Sequence, residues 1–334
     1  MSLAVYIGRF QPLHKGHLSS IHKALAENDK LLILVGSTNV LPNFKNPFTF
    51  EQRLALLTEE TKEFGDRVII KGIKDADSDD EWVQDVVSRV LTIEENPAEV
   101  ALYCHPKDEQ WYRTNLLYPV ETVDMIKVSA TEVREQWYTD GYIDTNVLPA
   151  SSVALLTNHP DERRLAREHE VTTREFRRKV QGHPFGNPVE PVTFALIVQN
   201  NKVLVGKRKG ARGNGQYGLP GGFIDADEST MDAVLRETKE ELSVDLKDLC
   251  NQGLAVCLAQ AVSENLDDLG VRTLGINYVF VVKPDVALEP KVDMEETDDY
   301  KWVPLMDIAE ERFLLFYNHN RIVRQLLSKV GGSK

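Results

Sequence analysis

A chain of 334 residues, 42% hydrophobic and 27% charged, is long for a single core and comfortable for two globular domains. Its formal net charge of -13 repels polyanions and argues against a nucleic-acid partner, and no apolar run is long enough to span a bilayer. The start, MSLAVYIGRF, has no basic segment before an apolar one, and Cys104, Cys250 and Cys257 form no C-x-x-C. The expectation is reduced thiols in a cytoplasmic protein without a membrane partner, not a disulfide frame or a zinc site.

The first half alternates between strands and helices. LAVYI reads as a strand, Gly16 to Asn28 as a helix, LLILVGS as a strand and TFEQRLALLTEETKEF as a helix. RVIIKGI (strand), DEWVQDVVSRVLTI (helix), EVALYCH (strand) and ATEVREQWYTDG (helix) follow. Continuously apolar strands between helices predict a doubly wound, parallel α/β sheet. DERRLAREHEVTTREFRRKV reads as a solvated helix with a sparse apolar stripe at Leu165, Phe176 and Val180. Next comes QGHPFGNPVEP, with three prolines and two glycines, whose residues 183–191 read as a linker between domains at 1–182 and 192–334. VTFALIVQNNKVLVGKRK then reads as a hairpin turning at Asn200-Asn201, and one strong helix, Ser229 to Leu242, stands among strands, which suggests α+β.

Two stretches carry chemistry. In GRFQPLHKGH the first strand ends and a helix begins, so the loop lies where doubly wound sheets bind ligands. First-turn N–H groups favour anions there, and His14 and His17, at i and i+3, can share one side of that turn. Ordinary surface histidines are the competing reading; zinc lacks a third ligand at suitable spacing. In PGGFIDADESTMDAVLRETKEELSV, Glu237 and Glu241 stand one helical turn apart with Glu240 beside them. Three like charges repel unless a cation sits between them, and hard oxygens suit Mg2+ or Mn2+. A solvated acidic face is the alternative.

HKGH resembles the H-x-G-H signature of the nucleotidyltransferase superfamily, and Ser129-Ala130-Thr131-Glu132-Val133-Arg134 its later S-x-T-x-x-R. With NPFTFEQR between them, the first half is similar to archaeal-type nicotinamide mononucleotide adenylyltransferases. The resemblance implies ATP and nicotinamide mononucleotide as substrates and NAD as product. It implies catalytic roles for His14, His17 and Arg134, and binding roles for Gly8, Arg9, Phe10, Lys15, Lys45, Arg53, Trp82, Ser129 and Thr131. Lys45 stands where the family often has an arginine, and lysine cannot grip a phosphate in a bidentate fork. Trp82 is the implied stacking partner of the nicotinamide ring, a helix-core residue being its other reading.

Gly222, Glu228, Arg236, Glu237, Glu240 and Glu241 resemble the Nudix box, G-x5-E-x7-R-E-U-x-E-E-x-G-U, with Thr238 in place of a bulky apolar residue and Ser243 in place of the last glycine. That resemblance implies a pyrophosphohydrolase with Glu237, Glu240 and Glu241 as metal ligands and Glu240 and Glu241 as catalytic. LPGGFID and KRKGARGNGQYG resemble the branch acting on ADP-ribose. Glu264, Asp267 and Asp268 are candidate bases. Lys207, Arg208, Lys209 and Arg212 read either as ligand contacts or as a solvated loop. The whole chain is similar to bacterial bifunctional fusions of the two domains. Another phosphate acceptor for the first domain, a nucleotide sensor for the second, and homo-oligomerisation stay open.

Overall fold

The computed structural model describes residues 2–123, 128–181, 189–210, 212–266 and 272–331. Asp267 and Asp268 lie outside these, as do the side chains of Glu264, Phe176 and Val180. The chain divides into two compact units, Met1–Arg167 and Glu168–Lys334.

The first unit runs β1 (Leu3–Gly8), α1 (Lys15–Glu27), β2 (Lys30–Val35), α2 (Phe50–Thr61), β3 (Val68–Gly72), α3 (Asp79–Leu91), β4 (Val100–Cys104), α4 (Pro106–Asn115), β5 (Val120–Thr122), α5 (Ala130–Asp140) and α6 (Ala150–Asn158). The strands form one parallel sheet in the order β3-β2-β1-β4-β5. The chain winds outward from β1 through β2 to β3, then returns to pair β4 with the other side of β1. The switch point therefore lies between β1 and β4, and its carboxyl edge opens a ligand crevice. Both faces are covered: Ala4 and Tyr6 enter one core cluster, Leu3 and Val5 the other. That two-sided burial is why the strands read as unbroken apolar runs.

In the first unit three elements escape the sequence reading. Helix α4 has no buried residue, so it shows no apolar stripe. Its signal was the start: His105 caps it and Pro106 occupies the first turn. Strand β5 is three residues long, and α6 nine.

Helix α7 (Pro160–Gln181) spans the division between the units. The second unit continues with β6 (Val189–Gln199), β7 (Lys202–Arg208), β8 (Tyr217–Gly218), β9 (Gly221–Phe223), α8 (Thr230–Leu242), α9 (Leu246–Asn251), β10 (Ala255–Leu266), β11 (Arg272–Val282), β12 (Thr297–Pro304), α10 (Leu305–Ala309) and α11 (His319–Gly331). Its mixed sheet has the order β10-β11-β6-β7-β12, with β8 on β7 and β9 on β6. Val234 and Leu242 of α8 pack on one face, Ile322, Val323 and Leu326 of α11 on the other. Asn200 and Asn201 turn the β6–β7 hairpin with φ of 51° and 59°, the left-handed pair a two-residue primed turn requires. Val189, Glu190 and Pro191, read from sequence as the end of the linker, are the first residues of β6 and pair with β11. A proline argues against a strand in sequence, and here it did so misleadingly. Among the described residues no helix is long and apolar enough to cross a membrane.

Candidate active sites

The loop after β1 is built to present two histidines. His14 is the N-cap of α1: its Nδ1 accepts the His17 N–H at 3.2 Å, and the Nδ1 of His17 accepts the His14 N–H at 3.2 Å. The rings stack with centroids 3.5 Å apart. Burial pushes His14 down to about 4; burial, then His14 and Lys107, push His17 well below its ordinary value. Both are therefore neutral near pH 7. Since each Nδ1 is occupied as an acceptor, each ring carries its proton on Nε2 and offers one N–H donor.

Those donors face a cavity of about 550 Å³ at the switch point. Gly8, Arg9, Phe10, His14, His17, Ser129, Thr131 and Arg134 all line it. Ser129 caps α5, its Oγ accepting the Glu132 N–H at 3.3 Å. Arg134, 7% exposed, donates to the Gln11 carbonyl at 2.5 Å and to Thr131 Oγ1 at 3.3 Å, which ties α5 to the histidine loop. The first turns of α1, α4 and α5 thus meet at one cavity, where helix dipoles favour negative charge.

An adjoining chamber of about 380 Å³ is lined by Asp75, Asp79, Trp82, Asp108, Trp111 and Tyr112, among others. Trp82 borders both spaces. It is also packed against a core cluster, so one side of it belongs to the core while it still borders the cavities. Trp111 meets it edge-on at 5.4 Å, and Tyr112 lies parallel at 6.5 Å.

Lys15, Lys45 and Arg53 do not line the cavity. Lys15 Nζ donates to the carbonyls of Thr145 and Asn146, and Lys45 Nζ lies 5.6 Å from the Phe44 ring centre. Arg53, 1% exposed, donates to the carbonyls of Arg9, Gly36, Ser37 and Thr49. It braces three loops from below. Sequence reasoning missed Asp75, His105, Lys107, Asp108, Trp111 and Tyr112; all but Asp75 sit at or in the overlooked α4.

In the second unit, Arg236 organises the acidic helix. It grips Glu228 with two bonds, at 2.7 and 3.1 Å, and reaches Glu237 at 2.8 Å and Glu240 at 2.9 Å. Glu241, 8% exposed, accepts the Gly221 N–H at 3.2 Å. A Cβ on Gly222 would lie 2.7 Å from the Glu237 carboxylate, so only glycine lets that group sit against the turn. Burial raises Glu237 and pushes Glu241 up to about 8.

Among the described residues no three His, Cys, Asp or Glu converge as a ready metal cage; Arg236 sits among the carboxylates. Their chemistry nevertheless fits a hard divalent cation: three carboxylates on one helix beside a glycine cradle, two of them resisting ionisation when no cation is near. The two departures from the Nudix pattern are absorbed. Thr238 is fully buried with its hydroxyl on the Val234 carbonyl at 2.7 Å, and Ser243 takes the left-handed C-terminal conformation with φ 53°. In the basic run, Lys207 pairs with Asp298 at 3.5 Å, Arg208 and Arg212 lie over the Phe316 ring, and Lys209 donates to the Met294 carbonyl.

Both units contain a buried neutral histidine. His319 accepts the Leu219 N–H at 2.9 Å and is pushed by burial down to about 3. A depressed histidine stabilises the fold above its unfolded pKa near 6.5 and less as pH falls towards its folded value. The first unit should lose up to about 1.4 kcal/mol per pH unit per histidine between pH 6.5 and 4, whereas in the second the buried Glu241 carboxyl gains as pH falls and offsets His319. Calorimetry at pH 7, 5.5 and 4 checks this. A flat melting temperature of the first unit over that range contradicts it.

Residues 5–136 match the Cytidylyltransferase-like family and residues 189–326 the NUDIX domain. The chain is 34% identical to a nicotinamide/nicotinic acid mononucleotide adenylyltransferase of Acinetobacter baylyi over 47% of its own length and 86% of the relative's. It is 29% identical to a nicotinamide-nucleotide adenylyltransferase of Pyrococcus horikoshii, over 41% of this chain and 73% of that one. Over 99% of both chains the fold is similar to a bifunctional NMN adenylyltransferase/ADP ribose pyrophosphatase from Francisella tularensis, with TM-score 0.86 and 27% identity. A second structure from that organism, complexed with AMP and a Mn ion, matches with TM-score 0.85, 27% identity and the same coverage. The chain therefore belongs to the nicotinamide/nicotinic acid mononucleotide adenylyltransferases, and it carries a NUDIX domain after its transferase unit.

Proposed function

We propose that the chain is a bifunctional enzyme of NAD metabolism. Its first unit joins ATP, as the Mg2+ complex, to nicotinamide mononucleotide, giving NAD and pyrophosphate. Its second hydrolyses ADP-ribose to AMP and ribose 5-phosphate. One observation carries the transferase reading: two neutral histidines and three helix first turns face one cavity that adjoins an aromatic chamber.

The reaction needs no protein nucleophile. An oxygen of the mononucleotide 5′-phosphate attacks the α-phosphorus, the bond to the bridging oxygen breaks, and pyrophosphate leaves. Catalysis then rests on holding two anions in line and stabilising added charge. The Nε2–H groups of His14 and His17 donate to phosphoryl oxygens, and Arg134 and the first turn of α5 hold the triphosphate. Trp82, Trp111 and Tyr112 enclose the pyridinium ring. In the NUDIX unit Glu237, Glu240 and Glu241 would hold Mg2+ or Mn2+, which when bound supplies electrophilic polarisation of the pyrophosphate. Arg236 keeps the acidic helix registered on the glycine turn through Glu228.

Incubating the purified chain with ATP and nicotinamide mononucleotide, and separately with ADP-ribose and Mg2+, tests both halves by chromatography of the products. Absence of NAD, or of AMP, overturns the corresponding half. Trp82→Ala should raise KM for the mononucleotide and spare KM for ATP, since stacking on a pyridinium contributes about 0.5–2 kcal/mol. Equal increases in both would mark Trp82 as a core residue only.

A further inference from the structure

We propose that Lys107 is a further catalytic residue of the adenylyl-transfer site, its ammonium binding the pyrophosphate that leaves. The inference rests on the transferase reading above and concerns a residue on the helix that the sequence reading passed over.

Strand β4 pairs directly with β1, so α4 starts beside the histidine loop across the switch point. His105 Nδ1 accepts the Lys107 N–H at 3.1 Å and sets that first turn. Lys107 lines the larger cavity with His14, His17 and Arg134, but not the aromatic chamber. Its neighbour Asp108 lines both. Consecutive residues therefore place a cation on the side of the phosphate donors and a carboxylate at the border of the space suited to a pyridinium cation.

The other two cations at the cavity are already engaged. Arg134 holds the Gln11 carbonyl, and Arg9 donates to Asn46 Oδ1 at 3.4 Å. The Lys107 ammonium has no hydrogen-bond or ion-pair partner among the described residues, and it is close enough to lower the proton affinity of His17. An exposed, unpartnered cation on the wall of an anion cavity suits a group whose charge grows during the reaction. As the bond from the α-phosphorus to the bridging oxygen breaks, that oxygen becomes part of the pyrophosphate and gains negative charge, which a nearby cation stabilises.

The test uses the full chain with Lys107→Met and Lys107→Arg. In Lys107→Met, kcat for NAD formation should fall on the order of 10²-fold. KM for the mononucleotide should hold, and KM for pyrophosphate in the reverse reaction should rise. Lys107→Arg should recover part of the loss, because it restores the charge. Hydrolysis of ADP-ribose by the other unit should be unchanged, which shows that the protein is intact. Unchanged kcat and pyrophosphate KM in Lys107→Met overturn the proposal. So does a defect confined to the KM of the mononucleotide, which would move the lysine to the acceptor phosphate. If the unaltered chain forms no NAD, the transferase reading fails, and this proposal with it.

Discussion

Replacing His17 with alanine is expected to slow adenylyl transfer by on the order of 10²–10³ in kcat, the usual loss for one donor to a developing oxyanion. The same substitution removes half of the reciprocal cap at the start of α1, since His17 Nδ1 accepts the His14 N–H. A lost cap costs about 1 kcal/mol of stability, which lowers the melting temperature without explaining so large a kinetic loss. The two effects separate when kcat and melting temperature are measured on one preparation. Binding of the mononucleotide, which the proposed function assigns to the aromatic chamber, should persist. Unchanged kcat would remove the phosphate role from this histidine.

Glu241→Gln is expected to reduce ADP-ribose hydrolysis by orders of magnitude while NAD formation stays near that of the unaltered protein. The substitution preserves shape and an oxygen able to accept the Gly221 N–H, and removes the charge that attracts a divalent cation. Its stability effect has the opposite sign. A carboxyl raised by burial to about 8 favours the native state most below pH 4.5, and that advantage declines as pH rises towards 8. In chelator-treated protein at pH 7, Glu241→Gln should therefore raise the melting temperature of its unit. Hydrolysis that survives the change would show that the metal ligands lie elsewhere. Loss of both activities with the fold intact by circular dichroism would show that the two units act together.

Much of each site was legible because the decisive spacings are short. Residues three or four apart on a helix meet whatever surrounds them, so His14 and His17, or Glu237 and Glu241, could be paired on paper. The Asn200-Asn201 turn and the continuously apolar strands are equally local signals.

By itself, then, the sequence determined the strand–helix alternation, the pairing of His14 with His17, the acidic helix and the division into two kinds of fold. Only the tertiary structure decided which of the implied residues reach a cavity. Strand order carried α4 to the side of β1, and with it Lys107, Asp108, Trp111 and Tyr112. Packing turned Arg53 inward to four carbonyls. These outcomes depend on contacts between segments distant in the chain, and on the loss of water around groups whose ionisation burial then shifts; no local pattern encodes either.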